Sequence, residues 1–77
     1  MIILTPETCR AARGLLNWSA DQLSIAAGIG MATVLRFERG AVSTNQSTLE
    51  MMRKALERAG VEFIEQDGEV TGVQLRQ

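Results

Sequence analysis

The chain has 77 residues, of which 45% are apolar and 22% charged, so its size and composition predict one small globular domain and exclude a disordered chain. Because it contains no histidine and one cysteine, Cys9, we expect no internal disulfide, no zinc site and no cofactor. The single cysteine fits a protein of the reducing cytoplasm. The formal net charge of −1 and the pI near 5.3 lower the expectation of nucleic-acid binding, since dedicated nucleic-acid modules often have a pI above about 9.

The chain begins with the apolar run Met1–Leu4, which is too short for a signal peptide or a membrane span. The first helix is predicted to start after Thr5, which can act as its N-cap, with Pro6 in the first turn. The helix continues to about Leu16 and stops at Asn17. Its apolar stripe consists of Cys9, Ala12, Leu15 and Leu16.

Two short helices joined by a glycine turn are predicted next. Ser19 and Gln22 form a capping box that favours a helix over 20–27. Gly28 can adopt the left-handed conformation of a tight turn after that helix. The following helix is predicted over 31–39. This arrangement is the layout of a helix-turn-helix.

A fourth helix over 48–59 is predicted from a further capping box, which Ser47 and Glu50 form. Gly60 is its predicted stop. The apolar spacing gives this helix one buried face, which consists of Leu49, Met52 and Leu56.

After the fourth helix the pattern changes to two β-prone runs, 61–64 and 70–75, and the Asp67-Gly68 pair between them is a hairpin turn signal. A C-terminal β-hairpin is therefore predicted. Because an isolated hairpin is only marginally stable, it must pack on the helices or pair along an edge. Met1–Leu4 is a candidate third strand or cover. The alternatives are that a hairpin edge pairs across a homodimer or with a partner by β-augmentation.

The residues that identify the family of the chain are Arg10, Arg13, Trp18-Ser19, Leu23, Ala27-Gly28-Ile29, Ala32-Thr33-Val34 and Phe37-Glu38-Arg39-Gly40. As a set, they resemble the Cro/C1-type (Xre family) helix-turn-helix proteins over about residues 6–59. The ending VEFI followed by GVQLR resembles a short subgroup that closes with a hairpin. The resemblance implies a mainly α, lambda-repressor-like fold in one domain over 1–77. Four helices form a helix-turn-helix core over 5–59, and a C-terminal β-hairpin follows over 61–76.

The inward positions of this pattern predict a core that three helices share. The expected members are Leu23, Ala27, Ile29, Val34, Phe37 and Leu49. The resemblance also implies that Arg13 and Glu38 face each other as a structural ion pair. Cys9 is interpreted as a small buried hydrophobe.

The outward positions decide what such a protein binds. In this class the second helix of the pair enters the major groove, where Arg, Lys, Asn and Gln recognise base edges. The outward positions of this chain are Met31, Ala32, Leu35 and Arg36. Three of these four residues are apolar. The resemblance adds that Ala20 and Gly30 stand where the family often has polar residues that anchor or cap these helices.

Ile25, Met31 and Leu35 are predicted to form an exposed apolar patch, which is typical of a protein-binding surface. The alternative is that they pack under the hairpin or at a homodimer seam. The candidate partner- or DNA-binding face consists of Ile25, Met31, Ala32, Leu35, Arg36 and Arg39. The possible phosphate contacts are Arg10, Ser43, Thr44 and Asn45.

These residues favour a regulator of transcription that binds a partner transcription factor through the apolar surface of the motif, as an antiactivator does. The alternative is a conventional DNA-binding repressor or autoregulator that places helix 31–39 in the major groove of double-stranded DNA. A homodimer is compatible with both hypotheses, and no membrane partner is expected. An enzyme is not expected, because the chain has no histidine, no tyrosine and no phosphate-binding glycine loop.

Overall fold

The computed structural model of the chain describes residues 4–40 and 44–76, in which four helices precede a two-stranded antiparallel hairpin. The helices are α1 (Pro6–Leu16), α2 (Ala20–Ala27), α3 (Met31–Glu38) and α4 (Gln46–Arg58), and the strands are β1 (Val61–Gln66) and β2 (Glu69–Leu75). The predicted order of elements is therefore confirmed. Among the helices described, none has both the length and the apolar character needed to cross a membrane.

The ends of α1 follow the sequence prediction. The Thr5 hydroxyl accepts a hydrogen bond from the Thr8 backbone N–H at 3.1 Å, and the Thr8 hydroxyl accepts one from the Thr5 N–H at 3.0 Å. Asn17 ends the helix in the left-handed conformation, with φ at 57°. Along the apolar stripe, Cys9 is fully buried, whereas Leu15 in the last turns is 39% exposed.

The turn between α2 and α3 also forms where it was predicted. Ser19 and Gln22 make both bonds of the capping box at the start of α2. Gly28 ends α2 with φ at 72°. This left-handed conformation is unfavourable for a residue with a side chain but favourable for glycine. The Ile29 backbone N–H then donates to the Ser24 carbonyl at 3.0 Å, which closes the last turn of α2.

Both ends of α3 differ from a strongly capped helix. Gly30 is the N-cap residue and provides no side-chain hydrogen bond. The helix ends at Glu38, one residue before the predicted end, because Arg39 is the C-cap and Gly40 then turns left-handed with φ at 69°.

The start of α4 corrects the prediction. The N-cap is Asn45, whose side-chain oxygen accepts a hydrogen bond from the Thr48 N–H at 2.8 Å. The helix therefore begins at Gln46, and Ser47 lies inside its first turn, so the predicted Ser47–Glu50 capping box is wrong. Both Asn and Ser are strong caps, and the earlier one adds helical residues before the same apolar face. Glu50 instead forms ion pairs within α4.

We expect Asn45→Ala to lower the free energy of unfolding by about 1 kcal/mol, because the Thr48 N–H loses its acceptor. Ser47→Ala is the matched control, and we expect it to change stability by less than about 0.5 kcal/mol since Ser47 is exposed. Urea unfolding followed by circular dichroism measures both values. A larger loss of stability in Ser47→Ala than in Asn45→Ala would show that Asn45 is not the N-cap.

One core joins all four helices and the hairpin. α2 packs on α3 and α4, while α1 packs on α3 and on β2. The buried members of this core are Leu4, Cys9, Ala12, Leu23, Ala27, Val34, Phe37, Met52, Ala55, Leu56 and Val61. Four of the predicted core residues are among them, and the other two, Ile29 and Leu49, are half-buried against its edge.

The hairpin is supported by the helices, as its size requires. Asp67 and Gly68 form the predicted turn, both with positive φ. Phe63 and its cross-strand partner Val73 pack against the core. The strand register shifts after Ile64, where β2 contains one extra residue. Of the candidate third strand, Leu4 is buried in the core, and residues 1–3 lie outside the described residues.

Candidate binding face

The predicted ion pair between Arg13 and Glu38 joins α1 to the last turn of α3. The guanidinium makes two bonds to the carboxylate, 2.8 Å from Nε to Oε2 and 2.7 Å from Nη2 to Oε1. Its third nitrogen donates to the Trp18 carbonyl at 2.9 Å. Glu38 is only 6% exposed, so this carboxylate depends on its partners for stabilisation.

Two further residues of α1 bind Glu38. The Cys9 thiol donates to its Oε2 at 3.1 Å, and the Arg10 guanidinium donates to its backbone carbonyl. Burial alone raises the pKa of the Glu38 carboxyl, but the bonds from Arg13 and Cys9 outweigh burial and leave that pKa below its ordinary value. The bond to Glu38 also raises the pKa of Arg13.

The same surroundings keep the Cys9 thiol protonated. Burial raises its pKa far above the usual range, and the neighbouring Glu38 carboxylate raises it further. A protonated, buried thiol is a poor nucleophile and a poor metal ligand. The cluster around Glu38 ties α1 to the last turn of α3 on its inner side.

The outer side of α3 carries the residues that the sequence placed there. Val34, Phe37 and Glu38 face inward and are buried. Met31 is 46% exposed and Leu35 is 40% exposed. These two residues are four positions apart and therefore share one face of the helix.

The second row on this face consists of Ala32 and Arg36, which are both exposed. The Arg36 Nε lies 3.4 Å from the Ala32 carbonyl, a long bond that leaves most of the guanidinium donors unused. The two rows together make an outer face of three apolar side chains and one arginine, which belongs to the last turn of α3.

Apolar residues of two other helices are exposed as well. Ile25 on α2 is 74% exposed, the largest value among the large apolar residues of the described chain. Met51 on α4 is exposed, and its Cε lies 4.0 Å from where a Cβ would stand on Gly28, beside the α2–α3 turn. The alternative that Ile25, Met31 and Leu35 pack under the hairpin is wrong, because all three remain exposed.

The arginines near the C-terminal end of α3 differ in their partners. Arg10 is bound to the Glu38 carbonyl, so part of its donor capacity is used. Arg36 and Arg39 are exposed, and no carboxylate in residues 4–40 and 44–76 lies within ion-pair distance of either. The sequence predicted Arg36 and Arg39 for the binding face and Arg10 as a possible phosphate contact, but it could not show which of the three were already bound.

The candidate phosphate contacts after α3 are only partly described. Ser43 lies outside the described residues. Thr44 is half-buried, and the side-chain oxygen of Asn45 is used as the cap of α4. Asn45 therefore has a structural role that the sequence interpretation missed, although an Asn three residues before Thr48 was a signal for it.

Comparison with known proteins gives no family assignment, since no protein-family model matches the chain and no curated protein matches its sequence. Among the described residues, no group of three or more His, Cys, Asp or Glu side chains could hold a metal ion. The candidate functional feature of the described chain is therefore the exposed face of α2 and α3.

Proposed function

We propose that the chain is a regulator of transcription, built on an Xre-type helix-turn-helix scaffold, that acts by binding a partner transcription factor in the manner of an antiactivator. The binding surface is the outer face of α3 together with Ile25 of α2. The observation that carries this proposal is the exposure of Met31 and Leu35 on the helix that would otherwise meet DNA.

The arrangement of α2 and α3 is evidence in favour of a helix-turn-helix scaffold. The two eight-residue helices are joined through a left-handed Gly28 and pack on each other. Helix α1 holds α3 from behind through Glu38. One whole side of α3 is thereby left without a partner in the described chain, which is the side that a helix-turn-helix protein presents to its target.

The chemistry of that side favours a protein over DNA. Base edges are recognised by hydrogen-bonding side chains, and Arg36 is the one such side chain in the two outward rows of α3 before its C-cap, Arg39. Gly30 adds no side-chain donor at the start of the helix. Exposed methionine and leucine side chains suit an irregular apolar surface of another protein.

A conventional DNA-binding repressor is the second candidate, favoured by the guanidinium groups near the C-terminal end of α3. Arg36 and Arg39 could reach phosphates because neither is held by a carboxylate of the described chain. Phosphate contacts orient a protein on DNA but supply little sequence information. They therefore explain weak binding to any duplex better than recognition of one operator.

Fluorescence anisotropy on labelled duplexes separates the two candidates. We expect the purified chain to bind a duplex from upstream of its own gene no better than a scrambled duplex of equal length. A DNA-binding repressor would prefer the first duplex and would lose affinity steeply as salt rises from about 50 to 200 mM. It would also lose binding in Arg36→Glu. Those results together would disprove the proposed function.

A further inference from the structure

Given the proposed function, on which this step rests, we propose that the partner docks on α3 with an acidic amphipathic helix. Its apolar side chains lie against Met31 and Leu35, and its carboxylates lie against Arg36 and Arg39. The partner segment is thus defined by two features, an apolar face and a group of Asp or Glu residues at one end of it.

The shape of the outer face indicates a helix. Met31, Leu35 and Arg39 follow one another at intervals of four residues, and the Arg39 N–H donates to the Leu35 carbonyl at 3.1 Å, which continues the helical geometry to Arg39. A row at this spacing is a ridge that packs into the groove between two rows of another helix. With a rise of 1.5 Å per residue, the ridge is about 12 Å long.

The order of side chains along that ridge sets the position of the carboxylates. Met31 and Leu35 precede Arg36 and Arg39 along the chain, since Arg36 belongs to the last turn of α3 and Arg39 is its C-cap. Arg10 approaches the same C-terminal end from α1 through its bond to the Glu38 carbonyl. Among the described residues of α3, Glu38 is the one carboxylate, and it is buried and paired with Arg13. The exposed charge is therefore basic, and an acidic partner complements it.

A second copy of this chain is a poorer occupant, although it does contain acidic residues. Residues 61–77 contain four acidic residues and a single arginine. Three of the acidic residues, Glu65, Asp67 and Glu69, lie at or beside the hairpin turn, where every residue from 64 to 69 except Ile64 is polar or glycine. The turn thus offers carboxylates with little apolar surface to cover Met31 and Leu35.

Selection from a displayed library of helical peptides, with one face randomised and the full chain as bait, tests this proposal. We expect the selected peptides to carry apolar residues four positions apart, with Asp or Glu one or two turns to one side of them. The double charge reversal of Arg36 and Arg39 to Glu should weaken these peptides roughly tenfold or more. Arg58→Glu is the matched control, because Arg58 is an exposed arginine on α4 without an ion pair in the described residues, and it should leave affinity unchanged.

Three results would overturn the proposal: selected peptides that are basic or uncharged, a selection that yields no binder, or self-association of the chain that a charge reversal at Glu65 and Glu69 removes. Failure here is distinguishable from failure of the proposed function. If uncharged peptides bind and Leu35→Lys abolishes their binding, only the proposed acidic helix is disproved. If the chain binds a duplex sequence-specifically and this binding depends on Arg36, the proposed protein partner itself is disproved.

Discussion

We expect Glu38→Ala to lower the free energy of unfolding by about 3 kcal/mol, because it leaves Arg13 and Cys9 without their shared acceptor. Domains of this size have a total stability of only about 5 to 10 kcal/mol, so a large part of it would be lost. Urea unfolding followed by circular dichroism gives the difference from the natural chain.

Glu50→Ala is the control for this substitution. Glu50 also forms ion pairs, with Arg53 and Lys54, but its side chain is 33% exposed. Exposed ion pairs contribute about 0 to 1 kcal/mol, so the expected loss is below about 1 kcal/mol. Equal losses for the two glutamates would show that burial of Glu38 does not decide its contribution.

The Glu38 carboxylate also predicts a pH dependence of stability. Its folded-state pKa lies below the ordinary value of 4.5, because the bonds it accepts outweigh its burial. A carboxyl of this kind contributes fully above its unfolded pKa and loses its contribution as the pH falls through the folded pKa. Unfolding experiments from neutral pH down to about pH 3 should therefore show a steeper loss in the natural chain than in Glu38→Gln. Parallel profiles would contradict the lowered pKa.

The second large effect concerns binding. We expect Leu35→Lys to weaken partner binding by at least about 2 kcal/mol, roughly thirtyfold, because it places a charge beside Met31 in the apolar part of the outer face of α3. The fold should survive, since Leu35 is already 40% exposed. Pull-down of the tagged chain from a lysate of its native cells, with quantitative mass spectrometry, measures retention of the partner, and circular dichroism checks the fold.

Leu15→Lys is a closely matched control for that experiment. Leu15 is 39% exposed, but it lies on α1 rather than on α3. We expect this variant to retain the partner that Leu35→Lys loses. A partner that is lost from both variants, or retained by both, would place the binding surface away from α3.

Most of the secondary structure followed from local chemistry in the sequence. The cap of α1, the capping box of α2 and the Asp67-Gly68 turn each depend on residues within three positions of one another, and a linear sequence displays such pairs directly. The start of α4 was missed because Asn45 and Ser47 are both good caps two residues apart. Local preference alone could not decide which cap the core would use.

The candidate face was predicted only in part. Exposure of Met31 and Leu35 followed from helical spacing, because Val34 and Phe37 had to face the core. The bond from Arg10 to the Glu38 carbonyl and the position of Met51 beside Gly28 depend on distances between helices that are far apart in sequence. No local pattern encodes such distances.

The division of α3 into two sides has a consequence for how this protein can change. Its position is fixed by Val34, Phe37 and Glu38, whereas Met31, Ala32, Leu35 and Arg36 are exposed. Evolution or an engineer could thus exchange the second set without disturbing the first. Under the proposed function, a few substitutions could then retarget the same scaffold from one transcription factor to another, or between protein and operator.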